Sequence, residues 1–131
     1  MAYQKDEPLV SVIIPFFNAA PYIKATIESV EAQSYTNWEI IMVDDGSSDG
    51  SLQVAQTFVK KHPEKIFLFT HANNQNKGAA ASRNLGFAKS KGDLITFLDS
   101  DDLWLPHKLK SQVQLMLSNG EIDVLCEATK Y

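Results

Sequence analysis

Leu94-Ile95-Thr96-Phe97-Leu98-Asp99-Ser100-Asp101-Asp102 is an apolar run that stops at three carboxylates within four residues. Its first residues are rich in β-formers. The run therefore reads as a buried strand over residues 93–98 that delivers negative charge to its C-terminal end. In open α/β sheets, ligands gather in the crevice outside that end. Carboxylates crowded together are unfavourable unless a cation or a set of donors offsets their repulsion. Alternate side chains of an extended segment point the same way, so Asp99 and Asp101 are placed to converge on one hard cation. Magnesium or manganese takes one or two protein carboxylates and fills its shell with water and phosphate oxygens. Asp102 is expected instead near the start of the following helix, where the macrodipole favours an acid.

Outward from this strand the chain alternates between two periodicities. Residues 9–14 (LVSVII) form a β-branched apolar run, the pattern of a strand buried on both faces. Pro15 has no N–H for a ladder and is expected to end it. After a loop at Phe16, Phe17 and Asn18, Pro21 suits the first turn of a helix reaching about Gln33, with Ile23, Ile27 and Val30 at helical spacing. Residues 38–43 (WEIIMV) are a second strand. A helix over residues 52–60, capped by Ser48 or Asp49, follows and is closed by Lys60, Lys61 and Pro63. A short strand at residues 66–69, a polar loop at 71–77 and a helix over 78–91 ending at Gly92 lead back to the opening strand. A further helix from Pro106 to about Ser118, an Asn119-Gly120 stop and a last strand at residues 122–126 complete a β-α-β-α-β-α-β-α-β order. That order predicts an α/β fold: a Rossmann-like, mostly parallel sheet flanked by helices on both faces.

Composition narrows the class. With 131 residues, 44% apolar and 21% charged, the chain suits one compact domain and not a disordered segment. Residues 1–7 are a polar tail and residues 8–131 the domain. A net charge of −4 with scattered basic residues gives no sign of a nucleic-acid surface. The single cysteine, Cys126, excludes an internal disulfide framework and points to a reducing, cytoplasmic compartment. The apolar run after the polar start is short and reads as a strand, and no stretch has the length of a transmembrane helix. A longer protein could still carry an anchor and work at the cytoplasmic face of a membrane. The oligomeric state is left open, a homodimer included.

Three further constellations sit at strand ends or helix starts. Asp44-Asp45-Gly46-Ser47-Ser48-Asp49-Gly50 resembles a calcium loop in its first half, but Gln56 stands where a bidentate Glu is required and a strand precedes it. It reads better as a second acidic strand end, whose carboxylate can accept from a base N–H or a ribose hydroxyl. For Ser47, Ser48 and Asp49, a capped turn and a functional loop are equally consistent with the residues. At Pro15-Phe16-Phe17-Asn18, one ring can stack on a base, worth roughly 1–3 kcal/mol, and the other belongs to the core. Periodicity does not say which. Asn76-Lys77-Gly78 with Arg83-Asn84 opens a helix where Lys77 and Arg83 could meet a diphosphate, although Arg83 equally fits a surface salt bridge. No GxGxxG or Walker A sequence is present. His62, His71 and His107 lack metal-ligand spacing and read as loop or cap residues, and Trp38 and Trp104 as packing residues.

In these motifs the chain closely resembles family 2 glycosyltransferases of the GT-A fold. The resemblance covers nearly all of residues 8–131. It rests on Val10-Ser11-Val12-Ile13-Ile14-Pro15-Phe16-Phe17-Asn18, Ile41-Met42-Val43-Asp44-Asp45-Gly46-Ser47-Ser48-Asp49, Asn76-Lys77-Gly78 with Ala81-Ser82-Arg83-Asn84, and Phe97-Leu98-Asp99-Ser100-Asp101-Asp102. It implies a nucleotide-diphosphate sugar donor, most often a UDP-sugar, bound with Mn2+ or Mg2+, and inverting transfer to a saccharide or lipid-linked acceptor in surface-polysaccharide or cell-envelope synthesis. It also implies that Pro15 and Phe17 line the base pocket. Phe17 stands where tyrosine is common, so stacking carries over and a hydroxyl contact does not. Asp45 would accept from the base N–H with Asp44 close by. Asp99-Ser100-Asp101 is the DXD-type motif, with Asp101 the direct metal ligand and Asp99 holding ribose or metal-bound water. The general base lies, in that family, in an acceptor half that would begin after Tyr131. The expectation is therefore a donor-binding half, truncated on its C-terminal side, that binds nucleotide and is inactive alone.

Two other classes compete. An aspartate-dependent phosphotransferase would use Asp99 as nucleophile and Asp101 as acid/base, but its motif belongs after the first strand and wants Thr or Val where Leu103 stands. A non-catalytic nucleotide-sugar-binding module, or a receiver-like domain, would keep the acidic strand ends without transfer.

Overall fold

The computed structural model describes residues 7–118. The expected last strand at residues 122–126, the Asn119-Gly120 stop and Cys126 lie outside the described residues. Four strands, β1 (Val10–Phe16), β2 (Trp38–Asp44), β3 (Ile66–Thr70) and β4 (Leu94–Phe97), form one parallel sheet in the order β3-β2-β1-β4. Helices α1 (Ile23–Glu31), α2 (Ser51–Lys61), α3 (Ala79–Lys89) and α4 (Lys108–Ser118) connect or follow them, with a 3-10 turn at Ala72–Asn74.

Side-chain alternation splits the core between the two faces of the sheet. Val10, Val12 and Ile14 of β1, with Ile40 and Met42 of β2, pack on Ile23, Ile27 and Val30 of α1, Ala55 and Phe58 of α2, and Leu109 and Val113 of α4. Ile13 and Val43 point to the opposite face, where α3 approaches so closely that a Cβ on Gly86 would lie 2.4 Å from Ile13 Cγ2. Trp38 and Trp104 are both buried, as packing residues should be.

Three expectations are corrected. Pro15 does not end β1, which continues to Phe16 in register with Asp44. Along β1 the backbone groups face alternate neighbours: Phe16 O accepts from Asp45 N beyond β2, and Ile13 O accepts from Leu98 N beyond β4. Pro15 therefore turns its missing N–H toward the β4 side, where the ladder has already stopped at Ile13. The run at β4 is not fully buried: Leu94, Ile95 and Thr96 are half-buried and Phe97 is exposed, because among the described residues β4 is paired on one edge only. Finally, Asp102 is not at a helix start. Five residues separate it from α4, which begins at Lys108 and not at Pro106.

The α3 helix also ends sooner than its composition suggests, at Lys89. Lys91 N donates to the buried Glu39 carboxylate at 2.7 Å and Gly92 N donates to Ser11 Oγ at 2.8 Å, so side chains of β1 and β2 capture these amides in place of another helical turn.

Candidate active site

The ends of β1, β2 and β4 contribute to one open cleft of about 370 Å3 at the C-terminal edge of the sheet. Pro15 and Phe17 border it from β1, Asp45 from β2, and Asp99 and Asp101 from the turn after β4, while Arg83 enters from α3. The choice between the two rings is settled by burial: Phe16 is in the core and Phe17 is 50% exposed.

The paired acids after β2 separate sharply. Asp44 is fully buried beneath the turn, where its Oδ1 accepts from Ser47 N at 2.9 Å and its Oδ2 has no hydrogen-bonding partner among the described residues. Asp45 borders the cleft, and its Oδ1 accepts from Lys77 N at 2.7 Å and Gly78 N at 3.1 Å, with Oδ2 3.0 Å from Gly78 N. The loop before α3 is thus drawn onto a carboxylate of β2. Gly46 makes this possible: its φ is +84°, and a Cβ there would come within 3.0 Å of Asn74 O and Asn76 N. Lys77 contributes its backbone to this clamp, and its exposed side chain does not line the cleft.

Asp99, Asp101 and Asp102 place one carboxylate oxygen each within 4.8 Å of one another. This span is close to the distance of about 4 Å across one octahedral magnesium ion, and the donors are hard oxygens only, so the residues fit Mg2+ or Mn2+. Asp102, read from the sequence as a helix-start residue, belongs to this cluster. Arg83 reaches Asp99 Oδ1 at 3.4 Å, so the ion pair and the cleft position both hold for it.

Several residues of the site carry no motif of their own. His71, just beyond β3, is buried; its Nε2 lies 2.9 Å from Ser82 Oγ on α3 and 3.5 Å from Asp45 Oδ1. Its position at a strand end was the available signal. His62 and His107 by contrast sit at a helix end and on an exposed loop, as expected. Asn18, in the left-handed region at φ 49°, accepts through Oδ1 from Ser48 N at 2.8 Å and Asp49 N at 3.3 Å. In return Ser47 Oγ accepts from Asn18 N at 2.9 Å, Ser51 Oγ from Ala19 N at 2.7 Å and Asp49 Oδ2 from Ala20 N at 3.2 Å. Neither Ser48 nor Asp49 is the N-cap of α2, which is Gly50; residues 47–49 are a turn that takes the Ser51 amide on Asp49 Oδ1 at 2.9 Å, just before that helix, and clamps the loop carrying Phe17. Hydrogen bonding, first of all from the Ser51 hydroxyl, holds the Asp49 carboxyl below its ordinary value of 3.8.

This arrangement, with acids and an aromatic ring at the C-terminal edge of a parallel sheet, coincides with a family match. The model of glycosyl transferase family 2 matches residues 11–131. The chain belongs to this family. Among curated relatives of this chain, the Escherichia coli UDP-Glc:alpha-D-GlcNAc-diphosphoundecaprenol beta-1,3-glucosyltransferase is 43% identical over 115 residues, which is 88% of this chain and 44% of the relative. The chain thus spans less than half the length of that relative. In solved structures, S. aureus TarS in complex with UDP-GlcNAc matches with a TM-score of 0.75 and 27% identity, over 83% of this chain and 31% of that one. The Pyrobaculum calidifontis mannosyltransferase PcManGT, in complex with GDP-Man and Mn2+, matches with a TM-score of 0.68 and 28% identity, over 75% of this chain and 29% of that one. The sheet and its flanking helices are those of the GT-A fold seen in these neighbours. Among the described residues no helix is long and apolar enough to cross a membrane.

Proposed function

We propose that the protein transfers a sugar, with inversion, from a nucleotide-diphosphate donor, a UDP-sugar, to a saccharide or lipid-linked acceptor, and that it requires Mn2+ or Mg2+. The activity is proposed for the whole protein, and the residues described here are assigned donor binding. The observation that carries this reading is the convergence of Asp45, Arg83, Asp99 and Asp101 on one cleft with the exposed ring of Phe17. UDP-sugar binding in TarS and a diphosphoundecaprenol acceptor in the name of the E. coli relative support the two substrate classes. A lipid-linked acceptor would place the work at the cytoplasmic face of a membrane.

Each side chain has a task in this reading. Pro15 and Phe17 face the base, Phe17 by stacking. Asp45 Oδ1 takes both loop amides while Oδ2 takes only Gly78 N, which leaves Oδ2 the better acceptor for a base N–H. Asp44 lies beneath and braces the turn that carries Asp45 through Ser47 N. Arg83 turns from Asp99 toward the diphosphate, with the exposed side chain of Lys77 as a second cation. Asp101 and Asp99 hold the divalent ion. When bound, that ion supplies Lewis-acid stabilisation of the departing diphosphate without proton transfer.

A calorimetric titration with UDP, in the presence and absence of Mn2+, tests the reading. UDP should bind more tightly with Mn2+, and Asp101→Ala should remove that gain while leaving metal-free binding in place. Equal binding under both conditions would overturn the metal assignment.

A further inference from the structure

The turn that bears the three carboxylates is closed on itself by Asp102 N donating to Asp99 O at 3.0 Å. One bond within the turn does not orient it toward the cleft. That orientation comes from α1. Thr26, fully buried, sends its hydroxyl to Ser100 O at 2.9 Å and to Asp102 O at 2.8 Å, one proton shared between two carbonyls. Ser100 O belongs to the peptide that enters Asp101 and Asp102 O to the peptide that leaves Asp102, so a single oxygen of α1 fixes both ends of the two-residue segment that carries the Asp101 and Asp102 side chains.

Thr26 begins a polar stripe that continues down α1 and holds the whole irregular segment before α4. Ser29 Oγ accepts from Trp104 N at 3.2 Å, and Gln33 Nε2 donates to Leu105 O at 2.7 Å. Positions 26 and 29 share one face of α1, and Gln33 follows just past its C-terminal end. The lower members of the stripe contact backbone remote from the carboxylates; only Thr26 contacts the acidic turn. Tyr22, the residue that precedes α1, borders the cleft, and its carbonyl accepts from Thr26 N at 3.1 Å.

We propose that Thr26 is a positioning residue for cation binding: its hydroxyl sets the spacing of the Asp99, Asp101 and Asp102 carboxylates. The proposal rests on the metal-dependent donor reading above. Removing a partner that orients metal ligands lowers metal affinity by about 10–100-fold.

The test is a Mn2+ titration followed by EPR, at saturating UDP, on the protein and its variants. Thr26→Val should weaken Mn2+ binding about tenfold or more, and Thr26→Ala, which removes the same hydroxyl with less side chain to accommodate, should do the same. Thr26→Ser, which keeps the hydroxyl, should restore affinity. Ser29→Ala removes a comparable bond lower on the stripe and should leave Mn2+ affinity within about twofold, which separates positioning from general loosening of α1. Unchanged affinity in the Thr26 variants, or an equal fall in Ser29→Ala, would overturn the proposal while the donor reading stands. Failure of the unaltered protein to bind Mn2+ with UDP would overturn both.

Discussion

Asp45 accepts a 2.7 Å hydrogen bond from the backbone N–H of Lys77, joining the end of β2 to a loop thirty-two residues further along. The carboxylate thereby builds one wall of the cleft before any ligand arrives. Hydrogen bonds to a charged acceptor are worth about 1.5–3 kcal/mol each. Asp45→Ala should therefore accelerate amide exchange at Lys77 and Gly78 and weaken UDP binding tenfold or more. Exchange mass spectrometry and calorimetry on the same variant check both halves. A loop that stayed protected would show that it is held by other contacts.

His71 and Ser82 are buried together behind this clamp, with their polar atoms 2.9 Å apart. Truncating either leaves the other buried without its partner, at a cost of about 1–3 kcal/mol. Removing both together should cost less than the sum of the two single losses. Denaturant unfolding of His71→Ala, Ser82→Ala and the double variant measures the coupling, expected at about 0.5 kcal/mol or more.

Gly86 is the contact point between α3 and the sheet. An alanine Cβ there would meet Ile13 Cγ2 at 2.4 Å, and Ile13 is fully buried and cannot yield freely. Gly86→Ala should destabilise the fold by about 1–3 kcal/mol through overpacking. Gly50→Ala, at a position with nothing within 4 Å of the added methyl, should change stability by no more than about 0.5 kcal/mol. Parallel urea melts distinguish the two.

Asp49 predicts a local response to acid. Its folded-state pKa is lowered, first by the Ser51 hydroxyl, so it holds more charge when folded than when unfolded. The stabilisation it provides is present above the ordinary value of 3.8 and is lost as pH falls through the lower folded value. Below that range the Ala20 and Ser51 amides should lose protection, and the loop bearing Phe17 should loosen. Asp49→Asn should remove this pH dependence. Amide exchange at Ala20 measured across the acid range reads it directly.

Much of this was legible in the sequence because it is local. Strand and helix order followed from the alternation of apolar residues, and the acidic strand ends at Asp45 and at Asp99 to Asp101 stood out as charges terminating β-rich runs. The motif spacing was enough to recognise the family. The roles of neighbours were not legible, because they depend on partners far along the chain. Nothing in Asp44-Asp45 says that, of two buried acids, only the second borders the cleft, since the sheet register with Phe16 and the loop amides of Lys77 and Gly78 separate them. Pro15 remains in its strand because β4 stops short of it, a fact about another element. His71 and Thr26 look ordinary in sequence and acquire their importance from Ser82, Asp45, Ser100 and Asp102. The sequence by itself determined which elements form and where charge collects; the tertiary structure decided which hydrogen-bond donors reach that charge, because a buried polar group takes whichever partner the packed fold brings within reach.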